Sequence, residues 1–85
     1  MAHTLAELEL SSRHIAEGAW RIADQRRRIA EQVRTGRDTR LSVSVLENFQ
    51  ATLQLLVDHR NIILRDLDLK QKVNRERWHL FEHAK

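Results

Sequence analysis

The sequence predicts an all-α protein, an antiparallel two-helix hairpin of the coiled-coil type. The 85 residues include no proline and only two glycines, and 32% are charged, a composition that favours long helices. An Ile-Ala pair recurs every seven residues at 15–16, 22–23 and 29–30, which is the spacing of a helix that packs along another helix. A turn-forming segment at 35–39 divides the chain into two helical halves.

Helix 1 has clear signals at both ends. Thr4 followed by Glu7 fits a capping box, which predicts a helix that begins at about Leu5. Gly36 can adopt the left-handed conformation that ends a helix. We therefore expect helix 1 to span about 5–35.

Small residues interrupt the middle of helix 1. Ser11, Ser12 and Gly18 lower its helix propensity. Because the apolar positions before and after them share one phase, we expect a bend or a local loosening and not a break.

Helix 2 follows a turn at 36–38 and is expected to span about 39–83. Asp38 or Thr39 is the expected N-cap. Ser44 is the alternative N-cap, because its hydroxyl also lies three residues before a glutamate. The single predicted domain then covers residues 1–85.

Both helices carry an apolar seam with seven-residue spacing, and a tight turn makes them antiparallel. The predicted register places Leu8 opposite Leu67, Ile22 opposite Leu53 and Ile29 opposite Leu46. It leaves two mismatches, Ile15 against Arg60 and Arg26 against Phe49. The predicted hairpin seam consists of Leu8, Ile15, Ile22, Ile29, Leu46, Phe49, Leu53, Leu56, Ile63 and Leu67.

Helix 2 has a second apolar face that one partner helix cannot cover. An 85-residue chain buries a small core and has no cysteine with which to reinforce it, so a second copy is the economical cover. We expect a homodimeric four-helix bundle; a fold-back of the last fifteen residues is the alternative. The predicted dimer or partner surface consists of Val45, Leu55, Ile62, Leu69, Val73, Trp78, Leu80 and Phe81.

The segment 71–85 is expected to project beyond helix 1. Trp78 and Phe81 lie three residues apart and share a face with Leu80 nearby. Aromatic anchors of this kind often dominate interfaces, so this overhang is expected to dock on the second subunit or on an unknown partner.

Histidines at two places suggest metal binding as an alternative. His79 and His83 match the HxxEH zinc motif, but only two residues follow and the third ligand of such enzymes lies far downstream. His14 and His59 are expected near each other across the hairpin, where a pH switch or a metal site is conceivable. We favour a solvated helix end for the first pair and a structural role for the second, and expect no metal.

Arginines provide an alternative function. Residues 21 to 40 carry seven arginines, and the guanidinium group is well suited to phosphate. The possible nucleic-acid contacts are Arg21, Arg27, Arg28 and Arg34. Consecutive arginines point in different directions around a helix, and the net charge is only +3, so we favour a solvated surface.

The remaining features predict a non-enzymatic protein. The chain has no cysteine, no glycine-rich nucleophile elbow and no phosphate loop, so we expect neither catalysis nor a cofactor. No apolar run approaches the roughly 18 to 20 residues that span a bilayer, and a signal-peptide layout is missing. We expect a cytoplasmic protein–protein interaction or small regulatory module without a membrane partner; a nucleic-acid-binding hairpin is the alternative.

Several short motifs carry a family resemblance. They are the run His-Ile-Ala-Glu-Gly at 14–18, the turn at 36–39, and Leu46, Phe49, Thr52, Leu53, His59, Arg60 and Ile63. Together they resemble a class of short, uncharacterised helical proteins of alphaproteobacteria, over residues 14 to about 67. The resemblance implies a helical hairpin and brings no activity with it, since the class has no known function.

Overall fold

The computed structural model describes the backbone of residues 3–83 and the side chains of residues 3–72 and of Arg75. This part of the chain is all-α: it contains α1 (Leu5–Arg34) and α2 (Arg40–His83) and no strand. The two helices pack against each other in a rod that measures 77 × 15 × 15 Å.

The first turn of α1 is capped by Thr4, as the sequence predicts. Thr4 has an extended backbone, and its Oγ1 accepts a hydrogen bond from the Glu7 N–H at 3.2 Å. The Glu7 carboxylate bonds to His3 Nδ1 at 2.7 Å. The predicted contact from this carboxylate back to the Thr4 N–H is thus replaced by a histidine contact, while the carboxylate still lies at the positive end of the helix dipole.

The last turn of α1 is closed by Gly36, which has a φ of 71°. Its N–H donates to the Val33 carbonyl at 3.1 Å, and the Arg37 N–H donates to the Gln32 carbonyl at 2.8 Å. These two bonds form a Schellman motif, in which the position with a left-handed backbone conformation is usually occupied by glycine. The predicted end of helix 1 is therefore right to within one residue.

Helix α2 begins at the earlier of the two predicted starts. The Val43 N–H donates to the Thr39 carbonyl at 2.8 Å, and the Arg40 N–H donates to Asp38 Oδ1 at 3.0 Å. The Arg40 guanidinium also holds the pKa of Asp38 below its usual value. A start at Ser44 is wrong, because α2 has already formed a turn by then.

Four contacts across the hairpin define its direction and register. They are His3 N–H to Asp66 Oδ2 at 3.0 Å, Arg60 Nε to Ser12 Oγ at 2.8 Å, Gly18 against Leu53, and Gln25 Nε2 to the Ser42 carbonyl at 2.9 Å. In these contacts the residue number on α2 decreases as the residue number on α1 increases, as in an antiparallel hairpin. The predicted register would put Gly18 opposite Val57, so the observed register differs from it by about one helical turn.

The observed register brings small residues opposite large ones. A Cβ built on Gly18 would lie 3.2 Å from Leu53 Cδ1, so the leucine occupies the space that the glycine leaves. Ser12 Oγ accepts a hydrogen bond from Arg60 Nε, so this arginine has a polar partner on α1 where the predicted register had mismatched it with Ile15. Side-chain volume at Gly18 and hydrogen bonding at Ser12 together account for the difference between the observed and the predicted register.

The core of the described hairpin is thin. Its buried apolar side chains are Ile22, which is 7% exposed, and Ile63, which is 1% exposed. Ser11 and Gln25 are also buried, and Gln25 reaches a backbone carbonyl of α2. Ser11 Oγ has no hydrogen-bond partner among the described residues. A core of this size leaves the hairpin with little hydrophobic stabilisation of its own.

Candidate interaction surface

Large apolar side chains form an exposed line along α2. We call this line the outer stripe; it consists of Leu41, Leu55, Ile62 and Leu69, which are 79%, 70%, 54% and 60% exposed. Their positions differ by multiples of seven, so they share one face of the helix. Asn48 occupies the one remaining position of this spacing within the stripe.

The predicted dimer or partner surface coincides in part with the outer stripe. Leu55, Ile62 and Leu69 belong to it, and Val45 is half-buried beside it. Sequence reasoning missed Leu41, which the same seven-residue spacing could have found. The four remaining predicted residues, Val73, Trp78, Leu80 and Phe81, lie outside the described side chains.

The ten predicted seam residues are all buried or half-buried in the described hairpin. Ile22 and Leu53, which were expected to touch, line one shared depression between the helices. Sequence reasoning missed the polar and small members of the α1 seam, which are Ser11, Gly18, Gln25 and Gln32. Their seven-residue spacing could have identified them as seam positions, but a seam is normally recognised by apolar residues and these four are polar or small.

Four residues of α1 with alternating charge flank the groove on one side of the hairpin. We call Glu17, Arg21, Asp24 and Arg28 the charged flank. Arg21, Asp24 and Arg28 line a depression with Leu41 and Val45, and Glu17 and Arg21 line the next one along the rod. The charged flank and the first part of the outer stripe therefore border the same face of the hairpin.

The arginines of α1 lie beside carboxylates. Arg27 and Arg28 both pair with Asp24, at 3.1 and 3.0 Å. Arg34 makes two hydrogen bonds to Glu31, at 2.6 and 3.1 Å, and this carboxylate raises the pKa of Arg34. Such exposed pairs are weak, yet they balance the local charge. The nucleic-acid alternative stays a prediction.

Histidines and carboxylates meet where the start of α1 lies against α2. The His3 and His59 rings contact edge to face, with centroids 6.1 Å apart, and His14 lines the same depression as both. The hydrogen bond from His3 lowers the pKa of Glu7. Among the described residues, no group of three or more metal-ligating side chains is arranged to hold an ion.

The other metal motif of the sequence, His79 with His83, lies outside the described side chains. Within the described part of the chain, neither helix has a stretch long and apolar enough to cross a membrane. Comparisons with known protein families, curated proteins and solved structures found no match to this chain. The family resemblance and the cytoplasmic location therefore stay predictions.

Proposed function

We propose that the protein is a non-enzymatic protein–protein interaction or small regulatory module that acts as a homodimeric helical bundle. The observation that carries the proposal is the outer stripe, whose four large apolar side chains are each more than half exposed in a single hairpin. Large apolar side chains grouped on one exposed helix face are typical of a protein–protein interaction site.

The thin core supports the same proposal. Among the described residues, a single hairpin buries the apolar side chains of Ile22 and Ile63 and leaves the outer stripe largely exposed to water. Covering a leucine or isoleucine side chain completely contributes about 1.5 to 3 kcal/mol. A partner on the stripe therefore adds stabilisation that is comparable with that of the buried isoleucines.

A second copy of the chain is the partner that the spacing favours. The stripe follows the same seven-residue spacing as the seam of the hairpin, so it is suited to another helix of the same kind. Two hairpins joined along α2 give a four-helix bundle, in which short-loop hairpins are common building units.

Light scattering tests the proposal directly. We expect the protein at micromolar concentration to scatter as twice the chain mass of 10.1 kDa. Ile62→Asp should give a monomer of unchanged helix content, since the side chain is half exposed in one copy but covered in the dimer. Asn61→Asp adds the same charge one residue away on an exposed position off the stripe, and should stay dimeric. A wild-type mass of 10.1 kDa would contradict the homodimer.

A further inference from the structure

We infer that Asn48 orients the two copies, because it pairs with Asn48 of the second copy when the two α2 helices run parallel and in register. This inference rests on the proposed homodimer and adds the orientation of the second copy and the residue that selects it. Three features of the described residues support it, namely the position of Asn48, the pairings that each orientation allows and the uncharged residues around Asn48.

Asn48 interrupts the spacing of the outer stripe with a single polar side chain. It lies seven residues after Leu41 and seven before Leu55, so it shares their face of the helix, and it is exposed in a single hairpin. Its amide has both a donor and an acceptor, so two such amides brought together can hydrogen-bond to each other. A single asparagine in an otherwise apolar helix seam specifies register and oligomeric state in coiled coils.

A parallel twofold pair sets every position of the stripe against the same position of the second copy. Each of the four apolar residues then meets an identical apolar side chain. Asn48 meets the one polar side chain that this spacing contains. The symmetry also prevents the two helices from sliding past each other, so the register is fixed together with the orientation.

Antiparallel pairings lose part of this match. A copy centred at Leu55 sets Asn48 against Ile62 twice in each dimer, which buries the amide without a hydrogen-bond partner. A copy centred at Ile62 pairs Leu55 with Leu69, but leaves Leu41 and Asn48 without a stripe residue opposite. A copy centred at Asn48 leaves Ile62 and Leu69 uncovered. The parallel arrangement alone keeps the four apolar residues and the asparagine in matched pairs.

The residues around Asn48 allow the two helices to approach closely. The positions three or four residues away on α2, which lie on the same side of the helix, are Ser44, Val45, Ala51 and Thr52. None of them is charged and none is larger than valine. A parallel copy sets this uncharged part of α2 against itself, so the two asparagine amides can come within hydrogen-bond distance.

Charged residues flank only the second half of the stripe. Asp58 and Arg65 are exposed there, and a parallel copy brings each of them towards its own like charge. Gln54 Nε2 donates to Asp58 Oδ1 at 3.0 Å and so holds this carboxylate along its own helix. Water and salt weaken repulsion between exposed charges, so its cost is smaller than that of burying unpaired Asn48 amides.

Cysteine cross-linking tests the orientation, since the chain has no cysteine of its own. Ser44→Cys and Arg65→Cys place single thiols at exposed positions beside the two halves of the stripe, about 30 Å apart along α2. With a short bis-maleimide linker, each variant should form a covalent dimer with itself. An equimolar mixture should give no product that joins the two variants. Gln50→Cys, at an exposed position off the stripe, controls for random collisions.

Asn48→Leu tests the role of the asparagine itself. This change makes the stripe apolar throughout, so that an antiparallel copy centred at Leu55 no longer buries an unpaired amide. We expect a dimer with a higher urea midpoint, in which the mixture of Ser44→Cys and Arg65→Cys now gives a joined product. Gln50→Leu, the matched change off the stripe, should leave the cross-linking pattern as it is. The same pattern in Asn48→Leu would overturn the role of Asn48.

The outcomes separate the orientation from the homodimer itself. With Asn48 in place, a dimeric mass in light scattering without self-products from both cysteine variants would overturn the parallel orientation and leave the proposed function intact. A monomeric mass, with both variants at the level of Gln50→Cys, would overturn the inference and the proposed homodimer together.

Discussion

The adjacent isoleucines Ile62 and Ile63 place the outer stripe and the hairpin seam next to each other in sequence. Ile63 is 1% exposed, whereas Ile62 is 54% exposed. Replacing each with alanine removes the same carbon atoms from two different environments. The pair therefore measures how much stability the hairpin draws from its seam and how much from the second copy.

The expected magnitudes follow from burial. An isoleucine-to-alanine change at a fully buried site costs about 2 to 5 kcal/mol. For Ile63→Ala we expect about 2 to 3 kcal/mol, because a core only two helices thick can collapse partly around the gap. For Ile62→Ala, three carbons at about 0.8 kcal/mol each, half of them already in water, give about 1 kcal/mol in a single copy.

Urea unfolding followed by circular dichroism measures both costs, at a high and at a low protein concentration. The cost of Ile63→Ala should be the larger at both concentrations. The cost of Ile62→Ala should increase at the high concentration, because folding is then coupled to dimerisation. Equal costs for the two variants at low concentration would refute the burial assignment of these neighbours.

Three further substitutions test the ends and the middle of α1 by the same unfolding assay. Gly18→Ala should leave stability unchanged or raise it by up to about 1 kcal/mol, since helix propensity improves and the new methyl lies nearest to the ends of two leucine side chains, Leu53 Cδ1 at 3.2 Å and Leu56 Cδ1 at 3.8 Å, which can shift by a few tenths of an ångström. A loss of stability would show that these leucines cannot adjust. Gly36→Ala should cost about 1 to 2 kcal/mol, because its φ of 71° strains any residue with a Cβ. Thr4→Ala should cost about 0.5 to 2 kcal/mol through the lost bond to Glu7, and Thr4→Ser should restore it.

The helix ends could be predicted from sequence because their signals are local. Thr4 and Glu7 are three residues apart, and Gly36 acts on the turn that directly precedes it. Each signal specifies hydrogen bonds within one turn of the chain, so neither depends on what packs against the helix. The structure places the start of α1 and the end of α1 within a residue of the prediction.

The register could not be predicted, because a seven-residue pattern is compatible with two registers that differ by one turn. Moving one helix by three or four residues brings the second apolar line of each repeat to the place of the first. The choice between the two registers depends on contacts between the helices. Leu53 packs against Gly18, and Ser12 Oγ accepts a hydrogen bond from Arg60. These contacts join residues far apart in sequence, where periodicity carries no information on volume.

The outer stripe could be predicted only in part from the sequence. The angular position of Leu55, Ile62 and Leu69 on α2 follows from helix geometry alone, so their exposure on one face was accessible. Leu41 lies fourteen residues before Leu55, with Asn48 between them, and the polar residue hides the continuity. Which molecule covers the outer stripe depends also on the surface of that molecule. The sequence of this chain contains that information only if the partner is a second copy of the chain.

The C-terminal part of α2 provides the last prediction. Cross-helix hydrogen bonding reaches Asp66, while α2 continues to His83, so its last turns extend beyond α1. In the proposed homodimer the outer stripe ends at Leu69, so these turns lie beyond the surface along which the two copies join. Truncation after Lys70 should therefore leave the dimer mass and the helical unfolding transition intact. Loss of the dimer on truncation would instead favour a fold-back or an intersubunit role for residues 71–85, and would require a different arrangement of the two copies.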